Sequence, residues 1–312
     1  MPGINPTCSI VIPWHRDLAD LTRAVESVRA QSVADLEVIV VANGVDDSSW
    51  TSVVGLVDDP RYRTIRLEAA DVAAARNTGL DQALGTLVFF LDADDRFHPE
   101  KLARFVALHD REGFDIAFSR GLRQRGNDVT WPFPIEAWNG TEDLSEFFFC
   151  RGNTISASAI VLDRRRRSDL RFDPPPYEDP GILLKARALG FRVLMLSEPL
   201  YDWSDEREQY RLSRVPDFAA RLAWIERSAM AATPRAKAAF RARCVGQHLF
   251  PSRPFRCLRY FAAALRTRSV APAELALFLL RGLLPTYLKA RGLNAYFLLR
   301  SAASQRGLKP GH

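Results

Sequence analysis

The fold is decided by residues 8–44, which read CSIVIPWHRDLADLTRAVESVRAQSVADLEVIVVANG. Apolar runs over residues 8–12 and 36–41 predict two buried strands. Apolar residues also recur at helical spacing between these runs, after Asp17, a residue type that suits a helix N-cap. They are Leu18, Leu21, Val25 and Val28. A strand, a helix and a second strand in this order cross over right-handedly, so the sequence predicts an α/β fold with a mostly parallel sheet.

A cluster of carboxylates follows the most apolar of the later predicted strands, at residues 87–91. This strand runs into Asp92, Ala93, Asp94 and Asp95. In open α/β sheets, ligands bind at the carboxyl ends of the strands. Asp92 and Asp94 would extend to the same side of the chain, where their oxygens suit Mg²⁺ or Mn²⁺ bridging to a diphosphate. A solvated acidic turn is the alternative explanation.

The rest of the chain predicts a less regular half of the sheet domain and a helical end. A helix is predicted over residues 181–189, directly after Glu178 and Asp179. Further along, the strand patterns stop, and helices rich in Ala, Leu and Arg follow. We therefore predict an α/β domain over residues 1–215 and a helical C-terminal region over residues 216–312.

The composition and the charge narrow the classes of partner. Of the 312 residues, 47% are apolar and 26% are charged, as in soluble globular proteins. The net charge of +6 favours phosphate-bearing ligands or an anionic membrane surface. The sequence has no long basic stripe interleaved with aromatic residues, so no nucleic-acid partner is predicted. The four cysteines form no Cys-x-x-Cys pair and the N-terminal residues give no export signal, which predicts a cytoplasmic protein with reduced thiols.

Five segments together resemble the signature segments of glycosyltransferase family 2, in their order and in their spacing. They are SIVIPWHR at residues 9–16, IVVANG at 39–44, ARNTGL at 75–80, FLDADD at 90–95 and the pair Glu178-Asp179. The resemblance covers about residues 7–205. It implies a GT-A fold with a C-terminal helical extension, and an enzyme that moves a sugar, with inversion, from a nucleoside-diphosphate sugar to an acceptor.

The resemblance also implies roles for individual residues. Those expected to contact the nucleotide-sugar are Pro13, Trp14, Arg16, Asn43, Arg76, Asp92 and Ala93. Asp92 and Asp94 are expected to hold Mg²⁺ or Mn²⁺, which neutralises the leaving diphosphate. The Trp14 ring would offer an apolar face to the base or ribose, unless it is a core residue. Arg76 would reach the base or the diphosphate, unless it forms a surface ion pair.

Asp179 is the general base that the resemblance implies. Inversion requires a base on the face opposite the leaving group, where it takes the proton from the acceptor hydroxyl. Glu178 is the second candidate. The alternative is that both acids only complement the dipole at the start of the following helix.

The chain departs from the family at two places. Members commonly have two acids where this chain has Ala42 and Asn43, and one of those acids accepts a hydrogen bond from uracil. Asn43 can both accept and donate, so UDP is the first nucleotide to expect but strict selection is in doubt. Many relatives also have a histidine that binds the metal, whereas residues 201–215 contain none. Asp202 or Asp205 could take its place.

Two other functions are compatible with the same motifs. A strand that ends in Asp-x-Asp also occurs in haloacid-dehalogenase-like phosphohydrolases, although three predicted strands precede it here. The missing acids and the missing histidine would also fit a GT-A-like binding or scaffold protein without turnover. A phosphatase assay and a donor-hydrolysis assay distinguish these functions from sugar transfer.

The acceptor and the cellular location depend on regions with weaker signals. A glycan or a lipid-linked oligosaccharide is the expected acceptor. Residues 255–300 combine apolar stretches with arginines and lysines, a composition that can lie in an anionic membrane interface. The alternative is that these helices cover the main domain or pair between subunits of a homo-oligomer.

Overall fold

The chain forms two compact units. The computed structural model describes residues 5–56, 59–125, 129–165, 170–204, 217–227, 232–250 and 252–283. The first unit consists of residues 1–130 and 155–207, and the second of residues 131–154 and 208–312. The predicted boundary at residue 215 lies outside the described residues. The segment 131–154 belongs to the same unit as the C-terminal helices, so the units are not two consecutive stretches of chain.

A mixed β-sheet forms the framework of the first unit. The strands are β1 (Cys8–Trp14), β2 (Leu36–Asn43), β3 (Tyr62–Leu67), β4 (Leu87–Phe90), β5 (Arg96–Phe97), β6 (Ile116–Arg125), β7 (Val129–Phe133), β8 (Ile160–Asp163) and β9 (Val193–Ser204). The strand order is β3-β2-β1-β4-β8-β6-β9-β5, and β7 crosses the boundary between the units. Strands β1 to β4 pair in parallel, whereas β8 is antiparallel to both of its neighbours. The predicted α/β fold is confirmed.

Helices alternate with the strands in the first part of the chain and follow them in the last part. They are α1 (Leu18–Arg29), α2 (Asp47–Leu56), α3 (Val72–Gln82), α4 (Lys101–Glu112), α5 (Leu144–Phe149), α6 (Glu178–Ala188), α7 (Phe218–Arg227), α8 (Pro234–Phe240), α9 (Gln247–Leu249), α10 (Pro254–Arg266) and α11 (Pro272–Leu283). A π-helical segment, Arg241–Gly246, joins α8 to α9. Helix α1 has the predicted N-cap, because the Asp17 carboxylate accepts hydrogen bonds from the backbone N–H groups of Ala19 and Asp20.

Helix α3 packs closely against strand β1. A Cβ atom at Gly79 would lie 2.2 Å from Val11 Cγ1, so only glycine fits between the helix and the strand. The Asp71 carboxylate caps the helix by accepting from the backbone N–H groups of Ala73 and Ala74. Arg76 lies three residues before Gly79, on the same face of the helix, and therefore also points toward the sheet.

The second unit is helical and has an aromatic core of its own. The ring centroid of Phe149 lies 5.1 Å from that of Phe240 and 6.0 Å from that of Trp224. Such edge-to-face contacts stabilise a core beyond the burial of apolar area. The predicted helical C-terminal region is confirmed. No helix among the described residues is long and apolar enough to cross a bilayer.

Candidate active site

The carboxyl ends of β1, β2 and β4 lie side by side in the sheet. Trp14, at the end of β1, is opposite Ala42 of β2, and Val11 of β1 is opposite Phe90, the last residue of β4. Asp92 follows β4 directly after Leu91. Because parallel strands end at the same edge, the predicted nucleotide-binding and metal-binding segments lie along one edge of the sheet.

Arg76 brings together three carboxylates that are distant in sequence. Its Nη2 atom lies 2.7 Å from Asp92 Oδ1, and its Nη1 atom lies 3.1 Å from Asp179 Oδ1. The Nη1 atom also lies 3.5 Å from Glu178 Oε1. The structure thus places four of the predicted site residues in one ion-paired cluster, which joins the strand end at β4 to the start of α6.

The guanidinium of Arg76 is a buried charge. Only 3% of the residue is exposed, so the alternative of a surface ion pair is wrong. Burial alone would lower the pKa of Arg76, but the charges of the three acids raise it, and the group stays charged. The ring of Phe172 lies 5.3 Å from the guanidinium carbon. One positive charge faces three acids, so the cluster has a net negative charge when all three are ionised.

Glu178 and Asp179 lie inside the first turn of α6, where the prediction had them just before the helix. The helix dipole favours acids in this turn, but it does not account for their convergence on Arg76. Burial raises the pKa of Asp179 well above its usual range. The negative charges of Glu178 and Asp92 act in the same direction, and Arg76 opposes them. A carboxylate with a raised pKa is a stronger base, and such groups are concentrated in active sites.

The four residues after Leu91 differ sharply in exposure. Asp94 is exposed, Asp92 and Ala93 are partly exposed, and Asp95 is buried. The backbone N–H of Asp95 donates to the carbonyl of Asp92 at 2.9 Å, which closes a turn. A solvated acidic turn would account for Asp94, but not for the ion-paired Asp92 or the buried Asp95.

Asp95 has contacts that the sequence analysis missed. Its Oδ2 atom accepts from the hydroxyls of Ser158 at 2.6 Å and Ser156 at 3.1 Å. Its Oδ1 atom accepts from the backbone N–H of Ser204 at 3.0 Å. Burial raises the pKa of Asp95, and the nearby charges of Asp94 and Asp92 add to this shift. The only signal in the sequence was the position of Asp95 next to the Asp-x-Asp pair.

The donor set at this turn fits a hard divalent cation that is shared with a ligand. Among the residues that the structure describes, no group of three or more His, Cys, Asp and Glu side chains could enclose a metal. Mg²⁺ needs no such cage, because it commonly takes one or two carboxylates together with water and phosphate oxygens. Asp94 offers an exposed carboxylate beside Asp92, which matches this pattern. The Oδ1 atom of Asp202 lies 2.9 Å from His98 Nε2, and Asp205 lies outside the described residues.

Pro13 and Trp14 are both buried. Trp14 is 3% exposed, and its Nε1–H donates to the carbonyl of Asp17 at 3.1 Å. This placement agrees with a core tryptophan at a strand end, the alternative noted for it. Arg16, in the loop that follows β1, is exposed. Contacts of these residues with a nucleotide stay a prediction.

Asn43 uses its side chain to join two elements. Its Oδ1 atom accepts from the backbone N–H of Asp71 at 2.8 Å, and the residue is 5% exposed. The carbonyl of Asn43 lies 2.7 Å from Nδ1 of His15. Because a carbonyl can only accept, the proton of the neutral His15 ring is assigned to Nδ1, which leaves Nε2 as an acceptor. His15 is exposed, so of these two side chains the histidine offers the more accessible acceptor.

Solved structures with the same architecture identify the fold. The structure of S. aureus TarS residues 1–349 in complex with UDP-GlcNAc matches with a TM-score of 0.62, covering 96% of this chain and 89% of that chain, at 18% identity. The mannosyltransferase PcManGT from Pyrobaculum calidifontis, in complex with GDP-Man and Mn²⁺, matches with a TM-score of 0.59 at 17% identity. That match covers 99% of this chain and 89% of the other. The fold is that of GT-A glycosyltransferases.

The sequence comparisons identify the family. The profile of glycosyl transferase family 2 matches residues 9–166, and the chain belongs to this family. The amylovoran biosynthesis glycosyltransferase AmsB of Erwinia amylovora is 29% identical over 209 residues, which is 62% of this chain and 68% of AmsB. The succinoglycan biosynthesis protein ExoO of Rhizobium meliloti is 33% identical over 237 residues, which is 69% of this chain and, at 65%, slightly less than two thirds of ExoO. The protein is a glycosyltransferase, and the phosphohydrolase alternative is not supported.

Proposed function

We propose that this chain transfers a sugar from a nucleoside-diphosphate sugar to a hydroxyl group, with inversion at the anomeric carbon. The observation that carries the proposal is the cluster in which Arg76 joins Asp92 to Asp179. Asp92 lies at the strand end, where α/β enzymes bind phosphorylated ligands, and Asp179 is a carboxylate with a raised pKa. One arrangement thus holds a carboxylate suited to a cation that binds the donor diphosphate beside a carboxylate suited to proton transfer.

The donor side of the proposal rests on the turn after β4. Asp92 and Asp94 would hold Mg²⁺ or Mn²⁺ together with the diphosphate. When bound, the ion would stabilise the negative charge that develops on the leaving nucleoside diphosphate. The complexes of TarS with UDP-GlcNAc and of PcManGT with GDP-Man and Mn²⁺ support a nucleotide-sugar donor for the fold. UDP is the first nucleotide to test.

The acceptor side of the proposal rests on α6. The acceptor oxygen attacks the anomeric carbon while its proton passes to the Asp179 carboxylate. The bond from the anomeric carbon to the phosphate oxygen breaks, and the nucleoside diphosphate leaves with the bonding electrons. Arg76 keeps Asp179 oriented through the 3.1 Å contact between Nη1 and Oδ1. Glu178, at 3.5 Å from the same nitrogen, is the next candidate for the base.

The relatives suggest the biological role. AmsB and ExoO are named for the biosynthesis of amylovoran and of succinoglycan, and they match over about two thirds of their own length. We therefore propose a role in polysaccharide biosynthesis, with a glycan or a lipid-linked oligosaccharide as the acceptor.

The second unit supports association with a membrane that carries such an acceptor. Helix α10 exposes Phe255, Leu258 and Leu265 on one face, and Phe255 is 88% exposed. Arg259 and Arg266 lie next to these residues and are exposed as well. An apolar face flanked by arginines complements a lipid surface with anionic headgroups. We propose peripheral binding at the cytoplasmic face; residues 284–300 of the predicted membrane segment lie outside the described residues.

Donor hydrolysis with a panel of nucleotide-sugars tests the proposed function. The chain is incubated with Mn²⁺ and UDP-glucose, UDP-GlcNAc, UDP-galactose or GDP-mannose, and the release of nucleoside diphosphate is measured. NMR then gives the anomeric configuration of the freed sugar. We expect release from one donor class, with the opposite configuration to that of the donor. Retention of configuration would exclude inversion, and no release or binding with any donor in the panel would count against the donor assignment.

A further inference from the structure

We propose that Ser158 is a positioning residue for the Asp-x-Asp turn. Its hydroxyl connects the backbone amide of Asp92 to the buried carboxylate of Asp95, and this connection holds Asp92 and Asp94 in the geometry that binds the metal and the diphosphate. The inference rests on the proposed function, because it concerns the same donor site. It assigns a role to a residue that the motifs of the sequence do not include.

The direction of each hydrogen bond follows from the chemistry of the groups. The Asp92 N–H can only donate, so the Ser158 oxygen accepts from it at 3.0 Å. The same hydroxyl then uses its own proton toward Asp95 Oδ2, at 2.6 Å. Ser158 is fully buried, so water does not compete for either bond. The serine therefore transmits the fixed position of Asp95 to the backbone of Asp92.

Asp95 is a suitable anchor because it is itself held from several sides. Its Oδ1 atom accepts a hydrogen bond from the backbone N–H of Ser204, at the end of β9. The hydroxyls of Ser156 and Ser158 donate to Asp95 Oδ2; Ser156 precedes the 3₁₀ turn Ala157–Ala159 and Ser158 lies within it. The carboxylate thus connects the Asp-x-Asp turn, the 3₁₀ turn and the last residue of β9. A buried group with this many donors has little freedom to move.

Asp92 is consequently held at two points. Ser158 fixes its backbone, and Arg76 fixes its side chain through the 2.7 Å contact to Oδ1. Asp94, two residues further along, extends from the same turn. A shift of about 1 Å in groups that position a ligand can reduce activity about 100-fold. Loss of the Ser158 hydroxyl should therefore weaken the binding of metal and diphosphate more than it weakens the fold.

Ser156 provides a matched control on the same carboxylate. Both serines are buried and both donate to Asp95 Oδ2, but only Ser158 also accepts from the Asp92 N–H. Ser156→Ala removes one donor from Asp95 and leaves the connection to Asp92. Ser158→Ala removes a donor and also leaves the Asp92 amide without its partner. An effect that comes only from the loss of one hydrogen bond to Asp95 would appear in both variants. An effect on the position of Asp92 appears in Ser158→Ala alone.

The first measurement is the binding of Mn²⁺ with the nucleoside diphosphate that the wild-type chain prefers among UDP, GDP, CDP and dTDP, by calorimetry. We expect at least about tenfold weaker binding for Ser158→Ala and less than about threefold for Ser156→Ala, at similar melting temperatures. Equal losses in the two variants, or no loss in Ser158→Ala, would overturn the proposal. Absence of binding in the wild-type chain would instead count against the proposed function.

The second measurement needs no ligand and is independent of the donor assignment. Amide hydrogen exchange at Asp92 reports whether its N–H is held. We expect exchange at Asp92 to become at least about tenfold faster in Ser158→Ala and to stay near the wild-type rate in Ser156→Ala, relative to core amides of β1. Unchanged exchange at Asp92 in Ser158→Ala would contradict the positioning role even if the enzyme proves to be a transferase as proposed.

Discussion

At the scale of single residues, one guanidinium lies within 3.5 Å of three carboxylates that come from two separate segments of the chain. Arg76 can do this because its planar fork has several N–H donors in fixed directions, which a lysine lacks. The acids are partly buried, and without Arg76 they would face one another as like charges. The arrangement explains why the Ala-Arg-Asn segment, the Asp-x-Asp turn and the acidic pair of α6 belong to one site.

The first prediction concerns the proposed base. Asp179→Asn should retain donor binding and reduce transfer at least about 100-fold, because an amide keeps the shape of the side chain but cannot take the proton. Steady-state transfer and nucleotide affinity are measured on the same preparation. Asp173→Asn is the control, since Asp173 is exposed and contacts Lys185 instead of the cluster. Turnover of Asp179→Asn within about tenfold of wild type would contradict its role as the base. Glu178 would then be tested as the base with the Glu178→Gln variant.

The second prediction concerns selection of the nucleobase of the donor. If Nε2 of His15 accepts from the imide N–H of uracil, His15→Leu should weaken UDP binding about three- to tenfold, the value of one hydrogen bond. CDP, which has no imide N–H, should be affected little. The ratio of the UDP and CDP dissociation constants is measured by calorimetry.

Asn43→Ala separates the two candidate acceptors. Its amide oxygen is engaged by the Asp71 N–H, so its loss should lower the melting temperature and leave the UDP to CDP ratio near that of wild type. A ratio that changes in Asn43→Ala and not in His15→Leu would return the acceptor role to the asparagine.

Sequence motifs located the charged residues of the site but not the contacts of its polar ones. Arg76 and Asp179 were predicted through the resemblance to the family, and Asp92 also through its position at the end of an apolar strand. The Trp14 bond to the Asp17 carbonyl is a contact with a local turn, and no pattern in the sequence encodes it. The contact between Ser158 and Asp92 joins positions 66 residues apart, so it required the fold.

At the scale of elements, the strands with apolar runs were predictable, and so was α6, whose start is marked by Glu178 and Asp179, whereas α2 and β9 carry no comparable signal. Strands β1, β2 and β4 are mainly apolar, as is typical of buried parallel strands. Helix α2 has only a weak apolar face, and its ten residues include three serines and one aspartate, which favour turns and caps. Strand β9 begins with a short apolar run at residues 193–196, but Ser197, Glu198 and Pro199 interrupt it, and most of the strand is only partly buried.

The third prediction concerns the packing of α3 on β1. Gly79→Ala should lower the free energy of unfolding by about 1–3 kcal/mol, because the new methyl group would overlap with Val11. Gly55→Ala is the matched control in a helix: apart from its chain neighbours and the nearby backbone of its own helix, no atom lies within 4 Å of its Cβ position. That variant should be unchanged or up to about 1 kcal/mol more stable. Chemical denaturation measures both, and a Gly79→Ala variant as stable as Gly55→Ala would contradict the close contact.

At the scale of the whole molecule, the chain combines a sheet-based unit that contains the candidate site with a helical unit that exposes apolar side chains. The second unit has an internal aromatic core, so the residues exposed on α10 are additional to those that stabilise it. A helix face with Phe255, Leu258 and Leu265 at its surface is costly in water unless something covers it.

The fourth prediction is that this face binds anionic lipid. The full chain should sediment with vesicles of phosphatidylglycerol and phosphatidylcholine, less with phosphatidylcholine alone, and less at high salt. Phe255→Glu with Leu258→Glu should reduce sedimentation, whereas Val54→Glu, at an exposed site in the first unit, should not. Equal sedimentation with both lipid compositions would contradict binding of this face to anionic lipid. A dimer in light scattering that the double variant disrupts would instead indicate that this face pairs subunits.

The central claim, that the Asp-x-Asp turn binds a nucleoside diphosphate through a divalent cation, is tested most directly by calorimetry. The nucleotide preferred by the wild-type chain is titrated with Mn²⁺, with EDTA, and with Mn²⁺ into Asp94→Ala. The account predicts at least about tenfold weaker binding in EDTA and in the variant, because Asp92 and Asp94 would otherwise repel the diphosphate. Equal affinity in all three titrations would contradict it.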